Sequence, residues 1–301
     1  MTKKDDREYY IKIYRLSDYE ITFEEKIGGK PKNYIKLKEI EQNQDGSKYA
    51  TVYMDDGKFR IRTFSNKTRT EKEIARNEFD FNKALGIDDF TMPISGFPDP
   101  FIVCCFITDT KIFVALFHNK TKVHYHFIYD DSRKKIDSDI VQMKMDCTQK
   151  NFPYRAFANE ENNETYLFYR QGHVFTVNNS DVKNYKFARM TDMDLGQMYL
   201  VNNKALIARS SSRILFFKII VEEETGDRNW TLYDTISLRG FIFYMKGNDR
   251  IQITTDKLVY FYGIDQETFE PTLSNVMFNF MNCNQMMFGS DVKYGITYKT
   301  N

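Results

Sequence analysis

Cysteine is scarce in this chain: Cys104, Cys105, Cys147 and Cys283 are the four in 301 residues, and no two form a C-x-x-C pair. That pattern excludes a disulfide framework and a zinc-binding knuckle, and it reads as reduced, mostly buried small apolar side chains. Long apolar runs are missing too. No window approaches the roughly 18 uninterrupted apolar residues of a membrane span, and the N-terminal MTKKDDREYY puts no apolar stretch behind its lysines. No membrane partner is expected, and the expected location is the cytoplasm. Charge of one sign is also absent, with 43 Lys plus Arg against 42 Asp plus Glu. No whole-molecule field would draw nucleic acid, so nucleic acid is not the expected partner. With 6 prolines and 14 glycines the chain is neither collagenous nor low-complexity.

What is abundant is the aromatic ring. The chain holds 26 Phe and 20 Tyr beside one Trp, and such side chains favour the pleated, half-buried surface of a strand. The strands recur as hairpins. Gln44 to Arg62, QDGSKYATVYMDDGKFRIR, predicts a strand from Lys48 to Tyr53, a turn at Asp55-Asp56-Gly57 and a strand from Lys58 to Thr63. Four more strand-turn-strand units follow, turning at Asn119 to Thr121, Gln171-Gly172, Ser210 to Ser212, and Asp256-Lys257. A short apolar strand precedes each hairpin: Ile35 to Ile40, Phe101 to Phe106, Tyr154 to Ala158, Met198 to Val201 and Phe241 to Met245. A fourth strand follows each: Ile74 to Phe81, Ile140 to Met145, Tyr185 to Met190, Trp230 to Ile236 and Thr272 to Phe278. Glu71 to Lys83 also has the charge spacing of a helix, which competes with the strand there.

Four strands per unit, repeated every 40 to 50 residues or so, is the spacing of propeller blades. The hairpin Gln44 to Arg62 fits the WD-repeat pattern, and Tyr10 to Leu16, YIKIYRL, resembles the V-R-I-W-D strand of such a repeat. The chain therefore resembles the degenerate WD-repeat β-propellers over essentially its whole length. The Trp-Asp pair is missing, and Trp230 is not at the Trp-Asp position. The resemblance implies an all-β fold: residues 1–301 as a single closed propeller domain of six blades, with room for a badly degenerate seventh. The blades are expected at 33–82, 97–145, 152–190, 196–237, 239–274, and 275–301 completed by 9–27. Closure by both chain ends would remove an exposed sheet edge. The resemblance further implies peptide-binding surfaces within larger assemblies, cytoskeletal ones among them.

Three constellations could carry function. In a WD-type blade the turns between second and third strands emerge on one face, and each carries a base here: Lys58; Lys120 with Lys122; Arg170 with His173; Arg213; and Lys257. A ring of this kind suits an acidic segment of a partner protein, although Asp55, Asp56 and Asp256 in the same turns offset it. Gly86 to Pro100 is longer than a blade connection needs, and its Phe90 and Phe97 could anchor a partner or plug a blade junction. The cluster His118, His124 and His126 offers the residue types of a metal site, and with it a metal-dependent propeller enzyme as an alternative function. Pairing of His118 with Val123 would turn His118 away from the other two, and the plainer expectation is a surface strand with histidines on its polar face. RNA binding through aromatic faces and basic turns is a further alternative. No nucleophile elbow or phosphate loop is present. No cofactor is expected, and the reading is a non-enzymatic interaction scaffold.

Overall fold

The structure, a computed structural model, describes residues 10–14, 21–26, 36–37, 41–43, 47–55, 58–65, 77–86, 101–118, 121–145, 152–222, 224, 228–245, 249–278, 285–288 and 295–298. Strands dominate. β1 (Tyr10–Tyr14) pairs antiparallel with β2 (Ile21–Lys26). In the first blade β3 (Lys36–Leu37) and β4 (Glu41–Gln42) both pair with β5 (Lys48–Asp55), followed by β6 (Lys58–Ser65), β7 (Asn77–Asp80) and the short helix α1 (Phe81–Leu85). The second runs β8 (Phe101–Phe106), β9 (Lys111–His118), β10 (Val123–Asp130), with β11 (Lys135–Ile136) and β12 (Val141–Lys144) both on β10.

Three regular four-stranded meanders follow. The third blade is β13 (Pro153–Asn159), β14 (Glu164–Tyr169), β15 (His173–Asn178) and β16 (Asp181–Arg189). The fourth is β17 (Gly196–Val201), β18 (Ala205–Arg209), β19 (Ile214–Val221) and β20 (Arg228–Ile236). The fifth is β21 (Phe241–Met245), β22 (Arg250–Thr254), β23 (Leu258–Ile264) and β24 (Pro271–Phe278). A last hairpin joins β25 (Gln285–Phe288) to β26 (Gly295–Tyr298). The architecture is an all-β propeller fold of antiparallel meanders. Each terminal hairpin forms its own two-stranded sheet, and no ladder joins the two among the described residues.

Two compact units divide the chain, residues 1–169 with 175–187, and 170–174 with 188–301. In the first unit the second blade is buried on both faces. Ile112, Val114 and Leu116 of β9 pack with Ala50, Val52 and Ile61 of the first blade, while Phe113, Ala115 and Phe117 pack with Leu167, Phe175 and Val177 of the third. That is why β9 reads IFVALF, a continuous apolar run with no polar alternation. Cys104 and Cys105 likewise fall into opposite clusters. Burying a ring such as Phe113 completely contributes about 3 kcal/mol before its entropy cost. In the second unit Val201, Ile207 and Phe216 of the fourth blade meet Ile242, Ile251 and Ile253 of the fifth.

The strand expected over Ile35 to Ile40 is met at Lys36–Leu37, which is β3 laddered to β5, and its other residues lie outside those described; Glu41–Gln42 adds β4 on the same partner. The strand expected over Ile74 to Phe81 is corrected at its end: it stops at Asp80, and among the described residues the competing helix is seen only as α1. Tertiary packing decides this boundary: the fully buried Phe81 ring sits 5.1 Å from that of Phe127 and 6.0 Å from that of Tyr129, which pulls the chain out of the sheet.

Candidate binding face

In an up-and-down meander the turn from second to third strand and the connection to the next blade leave the sheet at the same end. In the second unit this end holds the turns at 170–172, 210–213 and 255–257 and the connections at 190–195 and 237–240. The first turn is pinned down. Gly172 has φ +75°, and a Cβ there would lie 2.2 Å from the backbone oxygen of Thr191. Its carbonyl accepts from Met190 N at 2.8 Å, and Leu195 N donates to Arg170 O at 2.6 Å. The turn is thereby tied to the following connection, with Arg170 exposed. His173 beside it is held below its ordinary pKa by burial and then by the Arg189 charge, with Asp192 opposing. Arg189 and Asp192 pair at 2.7 Å.

The other two turns are closed by their own hydroxyls. Ser210 Oγ accepts from Arg213 N and donates to Arg213 O, both at 3.1 Å. Thr255 Oγ1 accepts from Leu258 N at 2.9 Å and donates to Leu258 O at 2.8 Å. Such local side-chain bonds leave Arg213 and the Asp256-Lys257 tip outside in solvent. The fourth and fifth blades are clamped at this same end. Gln197 Oε1 accepts from Ile242 N at 3.1 Å, Tyr199 donates to Ile242 O at 3.1 Å, and the Arg209 guanidinium lies 4.4 Å from the Phe241 ring centroid. Gly240, whose Cβ would fall 2.7 Å from Thr254 O, holds the connection bearing the exposed Arg239 against the end of β22.

Summed over these turns, connections and their flanking strand ends, the second unit presents six cations (Arg170, Arg189, Arg209, Arg213, Arg239, Lys257) and three carboxylates (Asp192, Asp194, Asp256). Among the described residues the opposite end reverses the sign, with Lys204, Arg228 and Arg250 against Glu222, Glu224, Asp249, Asp265, Glu267 and Glu270. The unit is therefore polarised, +3 at one end and −3 at the other. Reading the turns alone found Arg170, His173, Arg213 and Lys257 but missed Arg189, Arg209 and Arg239. These three sit at strand ends and in a blade connection, where no turn motif marks them. The side chain of Lys58 lies outside the described residues, as do Lys120, Phe90 and Phe97.

The histidine expectation is corrected. His124 and His126 do share a face of β10, but they are fully buried between the second and third blades rather than on a solvated surface. Val123 pairs with His118, which turns His118 away, and its Nδ1 engages Thr121 Oγ1 at 2.5 Å. Since the Val182 carbonyl can only accept, His126 donates to it through Nε2 at 2.9 Å, leaving Nδ1 bare. That atom accepts from His124 Nε2 at 2.8 Å, and His124 Nδ1 accepts from the Tyr169 hydroxyl at 2.5 Å. All four ring nitrogens are used by protein partners, so neither ring offers a lone pair to a metal ion. Burial holds both rings neutral. It lowers His126 to about 4 and His124 well below its ordinary value, where the charge of His126 would add to the effect.

The first unit also carries a polar cleft of about 610 Å³ floored by Ile107, Ile128 and Val182 and rimmed by Lys111, Asp137, Asp139 and Asp181. Its charges are largely matched at the rim: Lys111 pairs with Asp137 at 3.1 Å and Lys183 with Asp139 at 2.7 Å.

No protein-family model and no curated protein matches the chain. Solved structures do. The β-propeller domain of Cps50 (Swd1) from Myceliophteria thermophila superposes with a TM-score of 0.57 at 8% identity, over 89% of this chain and 80% of that one. The periplasmic gluconolactonase PpgL of Pseudomonas aeruginosa gives 0.61 at 7% identity, over 94% and 83%. KlAtg21 in complex with the coiled coil of AgAtg16 gives 0.56 at 12% identity, over 89% and 77%. At such identities the likeness shows the fold alone, a β-propeller shared by WD40 interaction proteins and by lactonases.

Proposed function

We propose that this β-propeller is a non-enzymatic protein-interaction module of the cytoplasm that captures an acidic segment of a partner on the basic end of its sheets. The observation that carries this reading is the charge polarity of the second unit, +3 against −3, with Arg170, Arg213 and Lys257 held outward on turns fixed by hydrogen bonds. Pre-ordered turns lower the entropy cost of engaging a partner, and a one-signed end steers its approach. By sequence, Lys58 and Lys120 belong to the equivalent turns of the first two blades, and within this reading they carry the same chemistry, with Phe90 and Phe97 as apolar anchors. The structural likeness to a propeller solved with a coiled coil, and to a chain of the mitotic checkpoint complex, is in keeping with a partner-binding role. Within this reading the two terminal hairpins complete a sixth blade. The test is affinity capture of the natively expressed protein beside a variant carrying Lys58, Lys120, Arg170, Arg213 and Lys257 changed to Glu. A stoichiometric partner retained by the wild type and lost by the variant is expected; equal retention by both would sink the acidic-segment reading.

A further inference from the structure

Of the three turns on the basic end of the second unit, one carries hydroxyls that the turn does not spend. The Gln171-Gly172 tip has none, and Thr255 Oγ1 closes its own turn on Leu258. In the turn between β18 and β19, Ser210 is 7% exposed and its hydroxyl is committed to Arg213, while Ser210 N donates to Arg213 O at 2.8 Å. Ser211 and Ser212 form the tip, both exposed, and the turn closes without either hydroxyl. They stand between Arg209 and Arg213 in the run Arg-Ser-Ser-Ser-Arg. Ser237 is exposed at the same end, but its chain neighbours are Ile236 and Leu238.

We infer that Ser211 and Ser212 are phosphoacceptor sites that switch off the proposed binding face, an inference that rests on the acidic-segment reading for its regulatory half. A protein kinase and a nucleoside triphosphate supply the group. Ser Oγ bonds to the γ-phosphorus, the bond from that phosphorus to the β-phosphate oxygen breaks, the nucleoside diphosphate leaves, and the hydroxyl proton passes to the kinase base. The product fits the turn because its closing bonds come from Ser210 and Arg213 and survive the modification. The magnitude suits a switch. One phosphate brings a charge of about −1.5 to −2 near neutral pH, which cancels half or more of the local +3, and two phosphates neutralise it or reverse its sign. Like charge then opposes an acidic segment where opposite charge had drawn it in.

The test treats the full chain with ATP and an arginine-directed serine kinase, maps phosphate by peptide mass spectrometry, and measures affinity for a fluorescent oligoglutamate peptide. The same is done for the Ser211→Ala, Ser212→Ala double variant and for Ser210→Ala. Phosphate on Ser211 or Ser212 in the wild type and in Ser210→Ala, with peptide affinity falling by about tenfold or more, is the expected result. The double variant should keep its affinity under the same treatment. No phosphate on either serine overturns the inference, as does phosphate that leaves the affinity unchanged. Untreated wild type that ignores the peptide overturns the binding reading, and the regulatory half with it, whatever the phosphate map shows.

Discussion

Acid should loosen the junction of the second and third blades through the His124–His126 pair, and the size of the effect can be worked out. His126 falls from an ordinary 6.5 to about 4 in the folded chain, so between those values the unfolded chain binds more protons than the folded one. Stability is therefore full above pH 6.5 and is lost as pH falls towards 4. That fall in pKa corresponds to roughly 3 kcal/mol for this group. His124 acts in the same direction, since burial lowers it too. No carboxylate among the ring neighbours softens the change: His126 stacks 5.8 Å from Phe113, His124 stacks 4.7 Å from Phe175, and the Tyr185 ring is 5.5 Å from His126. Glu41 works against it. Burial raises its carboxyl to about 8, so that group favours the folded chain as pH falls, while the Arg155 guanidinium 3.3 Å away opposes its rise. The decisive quantity is thus the difference between the wild type and a His124→Gln, His126→Gln double variant, because groups common to both cancel. Urea unfolding between pH 7.5 and 4 should show the wild type losing about 3 kcal/mol or more relative to the variant. Parallel pH profiles would refute the neutral, fully bonded pair.

Gly172→Ala should lose about 2 to 4 kcal/mol of unfolding free energy, from the positive φ and from collision with Thr191 O that breaks the tie to Met190. Gly172→Asn tolerates the φ but keeps the Cβ, so it should be about as damaging; a near-neutral Asn variant would show that the collision does not matter. Phe113→Ala empties a fully buried site between two blades and should cost about 3 to 5 kcal/mol in the same assay. Arg209→Lys keeps the charge but loses the planar stack on Phe241, which should lower stability by about 0.5 to 1 kcal/mol while leaving the salt dependence of partner capture unchanged.

Hairpins were the most legible part of the sequence, because alternation on both sides of a turn residue leaves few other options. The five central hairpins fall where their turn residues place them, and Asp55 pairs with Lys58 around the Asp56-Gly57 step. The outer strands of the first blade were less legible. Among the described residues β3, β4 and β7 are two to four residues long, too short for alternation to register, and the end of β7 is set by Phe81 entering a core built mostly from the second blade. The histidines misled for a related reason. His-Tyr-His looks like a polar face on a surface strand, but both faces of β10 are covered by neighbouring blades, so the period of two separates one buried face from another. A buried polar pair then survives only where partners await it, and those partners, Tyr169 and Val182, lie 45 and 56 residues away.

The binding face shows the same division between local and assembled information. A basic residue at the tip of a hairpin can be found from sequence, since the turn fixes which end of the sheet it leaves. Arg239 cannot, because its place depends on Gly240 packing against Thr254 and so on the connection folding back over β22. Arg209 is harder still: it ends a strand, and only the neighbouring blade's Phe241 holds its guanidinium at the rim. The three acids and six bases of this end come from five separate segments, and no single segment carries the whole +3. Polarity of this kind arises from the meander itself, which returns the chain to the same end at every second turn. Selection for a one-signed end can therefore act on positions far apart in sequence, leaving net charge near zero in the chain as a whole. A balanced composition says little about whether such a propeller binds a charged partner; the sign at each end of its sheets is the informative quantity.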